Sequence, residues 1–121
     1  MFGGHLTLDI WQCDNDKLND IALITKLLNE LPDKIGMTKI IPPYVFHYSG
    51  IVPDENGITG IVLIAESHIS IHTFTEKDFV FIDVFSCKPF DFDFVKDYFI
   101  NEFQAKKADY SIISRGINFP R

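Results

Sequence analysis

Alternation along the chain marks several strands. Apolar and polar residues alternate through residues 5–11 and 69–73, and in residues 79–85 three phenylalanines and Asp83 alternate with aliphatic residues. Residues 109–114 predict a last strand. Successive side chains of a strand point to opposite faces of a sheet, so this period of two predicts β-strands with one apolar face. Residues 58–65 are almost continuously apolar, which predicts a further, buried strand.

A second pattern, with apolar residues three or four positions apart, predicts two amphipathic helices. The first runs from Leu18 to Leu31 and follows Asp14-Asn15-Asp16, whose side-chain oxygens can cap a helix. Pro32 is expected to end it. The second helix covers residues 91–104, where aromatic side chains supply most of the apolar stripe.

The segment between the first helix and the buried strand is predicted to be extended. Residues 34–48 are rich in β-branched and aromatic side chains, but Pro42 and Pro43 lack the backbone N–H that a central strand needs. We therefore expect an edge strand or two short pieces. Residues 53–57, Pro-Asp-Glu-Asn-Gly, predict the loop that follows.

The predicted order of elements is β-α-β-β-β-β-α-β, in one domain that covers residues 1–121. Strands that follow one another directly favour antiparallel pairing. We therefore predict an α+β fold, a two-layer sandwich in which two helices cover one face of an antiparallel sheet. The opposite sheet face also carries many apolar residues, which predicts that two copies associate through it as a homodimer, or in a larger assembly.

Composition and charge argue against several classes of protein. Acidic residues number 17 and basic residues 11, and the formal net charge of -6 disfavours binding to nucleic acid. No apolar run approaches the roughly 18 residues of a membrane span, and the first residues do not resemble a signal peptide. Two cysteines, Cys13 and Cys87, cannot build a disulfide framework, so we expect a cytoplasmic protein with no membrane partner.

The junction between the strands at 58–65 and 69–73 is the most informative part of the chain. It contains Glu66 and Ser67 but no Gly, Pro or Asn, the residues that usually permit a tight turn. A turn without turn residues indicates a constrained backbone, which is a feature of functional sites. The alternative interpretation is an ordinary polar pair at the end of a strand.

Histidine spacing does not favour a metal site. His68 and His72 would share one face of a helix, but their neighbours predict a strand, in which they stand roughly 13 Å apart. A serine hydrolase built from Ser67 and His72 would need Ser67 to lie in the turn, because the two residues fall on opposite faces of a regular strand. Glu76 or Asp83 would then orient the imidazole. No Gly-x-Ser-x-Gly motif supports this arrangement.

Cys87 follows the strand at 79–85 and has two interpretations. A cysteine in such a place is most often a small buried apolar residue. Its thiol, when protonated, is alternatively a proton donor.

Two blocks of sequence are more specific than these single residues. One is Glu66-Ser67-His68-Ile69-Ser70-Ile71-His72-Thr73, and the other is Asp83-Val84-Phe85-Ser86-Cys87, which places a cysteine twenty residues after the serine. Together they resemble the small prokaryotic S-adenosylmethionine decarboxylase proenzymes. Residues 4–9, 11–14 and 57–60 are also similar to that family, so the resemblance spans nearly the whole chain.

The resemblance implies a proenzyme that cuts itself between Glu66 and Ser67. In the family, the serine hydroxyl attacks the preceding carbonyl to form an ester, and elimination leaves a pyruvoyl group made from the serine. By resemblance, His72 takes the serine α-proton, and Thr59 assists processing from a position where many relatives carry serine. The implied cofactor is therefore a covalent pyruvoyl group derived from Ser67, with neither pyridoxal phosphate nor a metal.

The same resemblance implies the residues of the decarboxylation. The pyruvoyl ketone condenses with the substrate amine and accepts the electrons that loss of carbon dioxide releases. Cys87 matches the family's proton donor, so Ser67, His72 and Cys87 form the implied catalytic set. Glu76 matches a carboxylate that the family places near the ribose hydroxyls of the substrate.

The chain departs from the family pattern around the expected substrate pocket. Ser49 stands where relatives carry an aromatic residue that stacks on adenine, and Tyr48 is the candidate to replace it in substrate binding. The loop that follows is longer than usual. Phe74 and Thr75 take the place of a Trp-Pro pair.

We therefore expect a pyruvoyl-dependent decarboxylase of a small cationic amino-acid substrate. The first candidate is S-adenosylmethionine decarboxylase of polyamine (spermidine) biosynthesis. The alternative is a pyruvoyl-dependent decarboxylase of ornithine or arginine on the same scaffold. A non-enzymatic binding partner is a third possibility, which the retained Ser67 disfavours.

Overall fold

Seven strands, all paired antiparallel, form one sheet in the computed structural model, which describes residues 2–121. The strands are β1 (Gly3–Trp11), β2 (Thr38–Lys39), β3 (Tyr44–Tyr48), β4 (Gly57–Ala65), β5 (Ser67–Phe74), β6 (Phe79–Ser86) and β7 (Lys107–Arg115). The helices are α1 (Asn15–Leu18), α2 (Ile21–Lys34) and α3 (Phe92–Phe103). The predicted α+β sandwich with an antiparallel sheet is confirmed.

The strand order across the sheet is β2-β4-β5-β6-β1-β7, and β3 also pairs with β4. The segment around Pro42 and Pro43 is indeed divided into two short pieces. β2 pairs with the Ala65 end of β4, and β3 pairs with its Gly57 end. The two strands that flank the Glu66-Ser67 junction, β4 and β5, therefore lie side by side within the sheet.

The helical layer differs from the prediction in two respects. The structure has three α-helices in residues 2–121 rather than two, because Asn19 and Asp20 separate α1 from α2. The Asp20 carboxylate caps α2 by accepting from the Leu23 N–H. The expectation that Pro32 ends the helix is also wrong, since α2 continues to Lys34. A proline lacks only its own N–H, and the Pro32 carbonyl still accepts from the N–H of Met37 at 2.8 Å.

The two faces of the sheet have different environments. The helix-covered face buries the apolar set that the alternation predicts: Leu6, Leu8, Ile10, Ile69, Ile71, Val80, Ile82 and Val84. Phe99 and Phe103 of α3 are fully buried against this core. The opposite face, here called the open face, consists of the alternate residues of β1, β4, β5 and β6 together with Tyr44, Phe46 and Tyr48. Large apolar side chains remain exposed on it, for example Tyr44 at 66% and Phe81 at 40%.

Candidate active site

The Glu66-Ser67 junction is an unusually short connection between two paired strands. β4 ends at Ala65 and β5 begins at Ser67, so Glu66 alone joins them. Ser67 has a backbone φ of +138°, a region that residues other than glycine rarely adopt. Such a conformation costs about 1–3 kcal/mol and persists only where the surrounding structure imposes it. The junction is thus a constrained backbone rather than an ordinary polar strand end.

Cys87 lies against the peptide bond that joins Glu66 to Ser67. Ser67 pairs with Ser86 across β5 and β6, and the next residue, Cys87, donates its backbone N–H to the Glu66 carbonyl oxygen at 3.2 Å. A donor in this place polarises the carbonyl and stabilises negative charge that develops on its oxygen. The pairing of two distant strands therefore brings together the serine and the cysteine that the two sequence blocks contain.

Ser86 holds the turn that carries Cys87. Its side chain is fully buried, and its hydroxyl donates to the Met37 sulfur at 3.1 Å while it accepts from the Lys88 N–H at 3.0 Å. Gly3 of β1 packs so closely here that a Cβ would collide with the Ser86 carbonyl oxygen. These contacts leave the Cys87 backbone little freedom to move away from Glu66.

Thr59 and His72 form a second group of site residues on the open face. They are direct neighbours across β4 and β5, and the Thr59 Oγ1 lies 3.3 Å from the His72 Nδ1. Both line a pocket of about 390 Å³. We call this the His72 pocket, and its lining residues are Tyr48, Glu55, Gly57, Thr59, His72, Thr73 and Phe74.

Two acidic residues near the His72 pocket occupy different positions. Glu76, which the resemblance places near the substrate ribose, lies exposed in the turn after β5 and does not line the pocket. Glu55, which the sequence patterns do not single out, is also exposed but does line the pocket. Tyr48, the candidate for an aromatic contact to the substrate, shares the pocket with Phe74.

The structure separates the expected catalytic residues into two groups within one chain. His72 stands five positions after Ser67 on the same strand, which at about 3.3 Å per residue is a separation of roughly 16 Å. Cys87 lies in another pocket, of about 330 Å³, with Gly4, Phe92 and other residues at the far end of the sheet. Within residues 2–121 of a single chain, His72 therefore does not reach Ser67.

A further polar cluster on the open face was not predicted from the sequence. Arg115, which can only donate, lies 3.1 Å from the His5 Nδ1, so the His5 Nε2 carries the proton and donates to the Asp83 carboxylate at 3.0 Å. Asp83 thus accepts a hydrogen bond from His5 and does not orient the His72 imidazole, as the alternative of a serine hydrolase would require. Burial, with the charges of Asp109 and Asp83, raises the pKa of the nearby Asp9.

Neither a metal cluster nor a membrane helix occurs in the part of the chain that the structure describes. No three His, Cys, Asp or Glu side chains among residues 2–121 are grouped so that they would hold a metal ion. None of the helices in these residues has the length and apolar character needed to cross a membrane.

Comparisons with known proteins point to one family. The family model described as S-adenosylmethionine decarboxylase matches residues 4–116. An S-adenosylmethionine decarboxylase proenzyme of Geobacillus sp. (strain WCH70) is 35% identical over 115 residues, which cover 95% of this chain and 88% of that protein. The proenzyme of Pyrococcus furiosus is 34% identical over 116 residues, covering 95% and 79%.

A solved structure agrees with these matches. The crystal structure of the adenosylmethionine decarboxylase from Aquifex aeolicus superimposes with a TM-score of 0.81 at 32% identity, and the alignment covers 96% of this chain and 92% of that one. The family that the two sequence blocks resemble is therefore confirmed. The comparisons give no support to the ornithine or arginine alternative.

Proposed function

The chain belongs to the S-adenosylmethionine decarboxylase family, and on that premise we propose that it is a proenzyme that cuts itself between Glu66 and Ser67 and then decarboxylates S-adenosylmethionine. One observation supports the cleavage step above others. The Glu66 carbonyl accepts the Cys87 N–H next to a serine with a positive φ. The carbonyl is thus held and polarised beside its nucleophile.

The proposed cleavage begins when the Ser67 hydroxyl oxygen attacks the Glu66 carbonyl carbon. Charge that moves onto the carbonyl oxygen is stabilised by the Cys87 N–H, the peptide C–N bond breaks as the nitrogen takes a proton, and an ester remains. Loss of the Ser67 α-proton then expels Glu66 as a carboxylate. The residue left at the start of the new chain hydrolyses to a pyruvoyl group and ammonia.

The pyruvoyl group supplies an electrophilic ketone that receives the substrate amine and the electrons released with carbon dioxide. The half-buried Cys87 is suited to protonate the substrate carbon once carbon dioxide has left. Its thiol lies at the same end of the sheet as residue 67, so it can hold a proton for the substrate carbon. Both cysteines are free thiols, which is consistent with a cytoplasmic location.

We further propose that each site is shared by two copies of the chain. His72 lies roughly 16 Å from Ser67 along β5, and Thr59 is its neighbour on β4, so both act on the Ser67 of a partner. Suppose that a two-fold axis lies between two open faces, perpendicular to the strands and level with Ile69 and Ser70. The end of β5 that holds His72 in one copy then lies over the end that begins at Ser67 in the other. The homodimer thereby assembles two equivalent sites.

The character of the open face supports this mode of association. Exposed aromatic and aliphatic side chains extend across it, and no helix of residues 2–121 covers them. Two such faces pack about 10 Å apart, as the sheets of a sandwich do, with the side chains interdigitating. A surface that exposes many large apolar side chains is typical of an interface between proteins.

Two measurements on the wild-type protein test the proposal. The intact mass of purified protein is expected to show chains of 66 and 55 residues, the second with a pyruvoyl start. Carbon dioxide release is expected from S-adenosylmethionine and not from ornithine or arginine supplied at the same concentration. A decarboxylase that remains a single uncleaved chain would contradict the proposed cofactor.

A further inference from the structure

We infer that Glu55 determines substrate specificity, because its carboxylate in the His72 pocket accepts hydrogen bonds from the adenosyl part of the substrate. The inference rests on the proposed function. In the shared site, the reacting end of the substrate lies at the partner's residue 67, so the rest of the molecule extends into the His72 pocket. At about 390 Å³, the pocket is of the size that small-molecule sites have.

The chemistry of the pocket suits a nucleoside. Tyr48 and Phe74 provide aromatic surfaces on which a purine can stack. Glu55 is the one carboxylate among the described residues that line the pocket. An ionised carboxylate can only accept hydrogen bonds, and among uncharged groups its best donors are hydroxyl and amino groups. An adenosyl group carries both, on its ribose and on its base.

The loop before β4 is built to keep Glu55 in this position. The Asn56 carbonyl accepts from both the N–H and the hydroxyl of Thr75, at 3.1 and 3.2 Å, which fastens the loop to the turn after β5. The Asn56 side chain accepts from the Gly50 N–H at 3.0 Å. The loop is therefore tied at both ends, and Glu55 lies between these ties.

Glu55 itself uses only part of its hydrogen-bonding capacity within the chain. Its Oε2 accepts from the Ile51 N–H at 3.2 Å, and its Oε1 makes no hydrogen bond to residues 2–121. One oxygen thus holds the loop while the other remains available to a ligand. Glu55 lies outside the two sequence blocks that carry the resemblance, in the loop whose length differs from what the resemblance leads us to expect.

The test compares Glu55→Gln with Asp54→Asn. Glutamine keeps the shape of the side chain and an acceptor for the Ile51 N–H, but it loses the charge. Asp54 is the neighbouring carboxylate, does not line the pocket, and pairs with Lys77 at 3.5 Å on the surface. Both variants are first checked for complete cleavage by intact mass, because cleavage requires no substrate.

The readouts are kcat and KM for S-adenosylmethionine and the inhibition constant of 5′-methylthioadenosine, which has the adenosyl group but no amino-acid part. In Glu55→Gln we expect both KM and the inhibition constant to rise about tenfold, with kcat changed by less than about twofold. Asp54→Asn is expected to match the wild type in all three.

Three results would overturn the inference: an unchanged inhibition constant in Glu55→Gln, an equal rise in Asp54→Asn, or loss of cleavage in Glu55→Gln. The proposed function fails differently, since it requires that the wild type release carbon dioxide from S-adenosylmethionine. An active wild type with an unaffected Glu55→Gln variant would therefore refute the role of Glu55 alone.

Discussion

Two variants that cannot cut themselves are expected to restore cleavage when they are combined. His72→Ala retains Ser67 but lacks the histidine that removes its α-proton, and Ser67→Ala retains His72 but has no nucleophile. If the two groups of site residues act across a dimer, a mixed dimer contains one complete site. In that site, His72 of the Ser67→Ala chain acts on Ser67 of the His72→Ala chain.

The expected extent of cleavage follows from the geometry and from random pairing. Along β5, Ser67 and His72 are roughly 16 Å apart, far beyond the reach of a proton transfer, so neither variant repairs itself within one chain. With equal amounts of both chains, about half of the His72→Ala chains have a Ser67→Ala partner, since a closed two-fold dimer pairs at random. About half of the His72→Ala chains are therefore expected to be cleaved, and none of the Ser67→Ala chains.

The assay needs chains that can be told apart. Different tags on the two variants, expressed together in one cell, allow the fragments of each to be weighed separately by mass spectrometry. Each variant expressed alone is the control. If native mass spectrometry shows mixed dimers but the His72→Ala chain stays intact, the shared site is wrong. Cleavage of His72→Ala expressed alone would show that His72 is not needed.

Three other perturbations examine the surroundings of Ser67. Cys87→Ala is expected to cleave normally, because the backbone N–H that contacts the Glu66 carbonyl is retained. An assay of carbon dioxide and of the decarboxylated product is expected to show slow turnover or a misdirected product. Normal turnover would remove the role of the thiol. Ser86→Ala is expected to slow the cleavage of freshly purified proenzyme roughly tenfold, because it loses the hydroxyl that holds the turn. Ser86→Thr keeps a hydroxyl and is expected to cleave at a rate closer to wild type. Equal cleavage rates in the two variants would contradict this reasoning. Burial raises the pKa of the Cys13 thiol to about 12, so at pH 8 iodoacetamide is expected to label Cys87 first in peptide mapping, and equal labelling would refute the difference.

The strands were predictable from local sequence because successive residues face the helices and the open face in turn, which imposes a period of two on the sequence. β1 and β6 follow that alternation closely, and Pro42 and Pro43 explain why β2 and β3 are separate. The division of the first helix was not predictable in this way. The apolar spacing continues across Asn19 and Asp20, and only the capping contact made by Asp20 shows that a new helix begins there.

The site was predictable as a set of residues but not as an arrangement. The resemblance identified Ser67, His72 and Cys87, and strand spacing alone separates His72 from Ser67 by roughly 16 Å. Only the pairing of β5 with β6 shows that Cys87 lies beside the Glu66-Ser67 bond. Glu55 was missed for a different reason. A glutamate in a Pro-Asp-Glu-Asn-Gly loop has the composition of an ordinary exposed turn, and only the folded loop shows that it lines a pocket.

The position of Cys87 accounts for how one residue can serve two reactions in succession. Its backbone N–H contacts the Glu66 carbonyl, which is the bond-breaking centre of the cleavage, whereas its thiol is suited to the later decarboxylation at residue 67. The two roles use different atoms, so they place separate demands on the sequence. The role of the thiol requires a cysteine at position 87. The role of the backbone N–H requires only that the turn be held in place, which buried Ser86 does through its hydrogen bonds with Lys88 and Met37. Substitutions at Cys87 should therefore affect turnover, and substitutions at Ser86 should affect cleavage first.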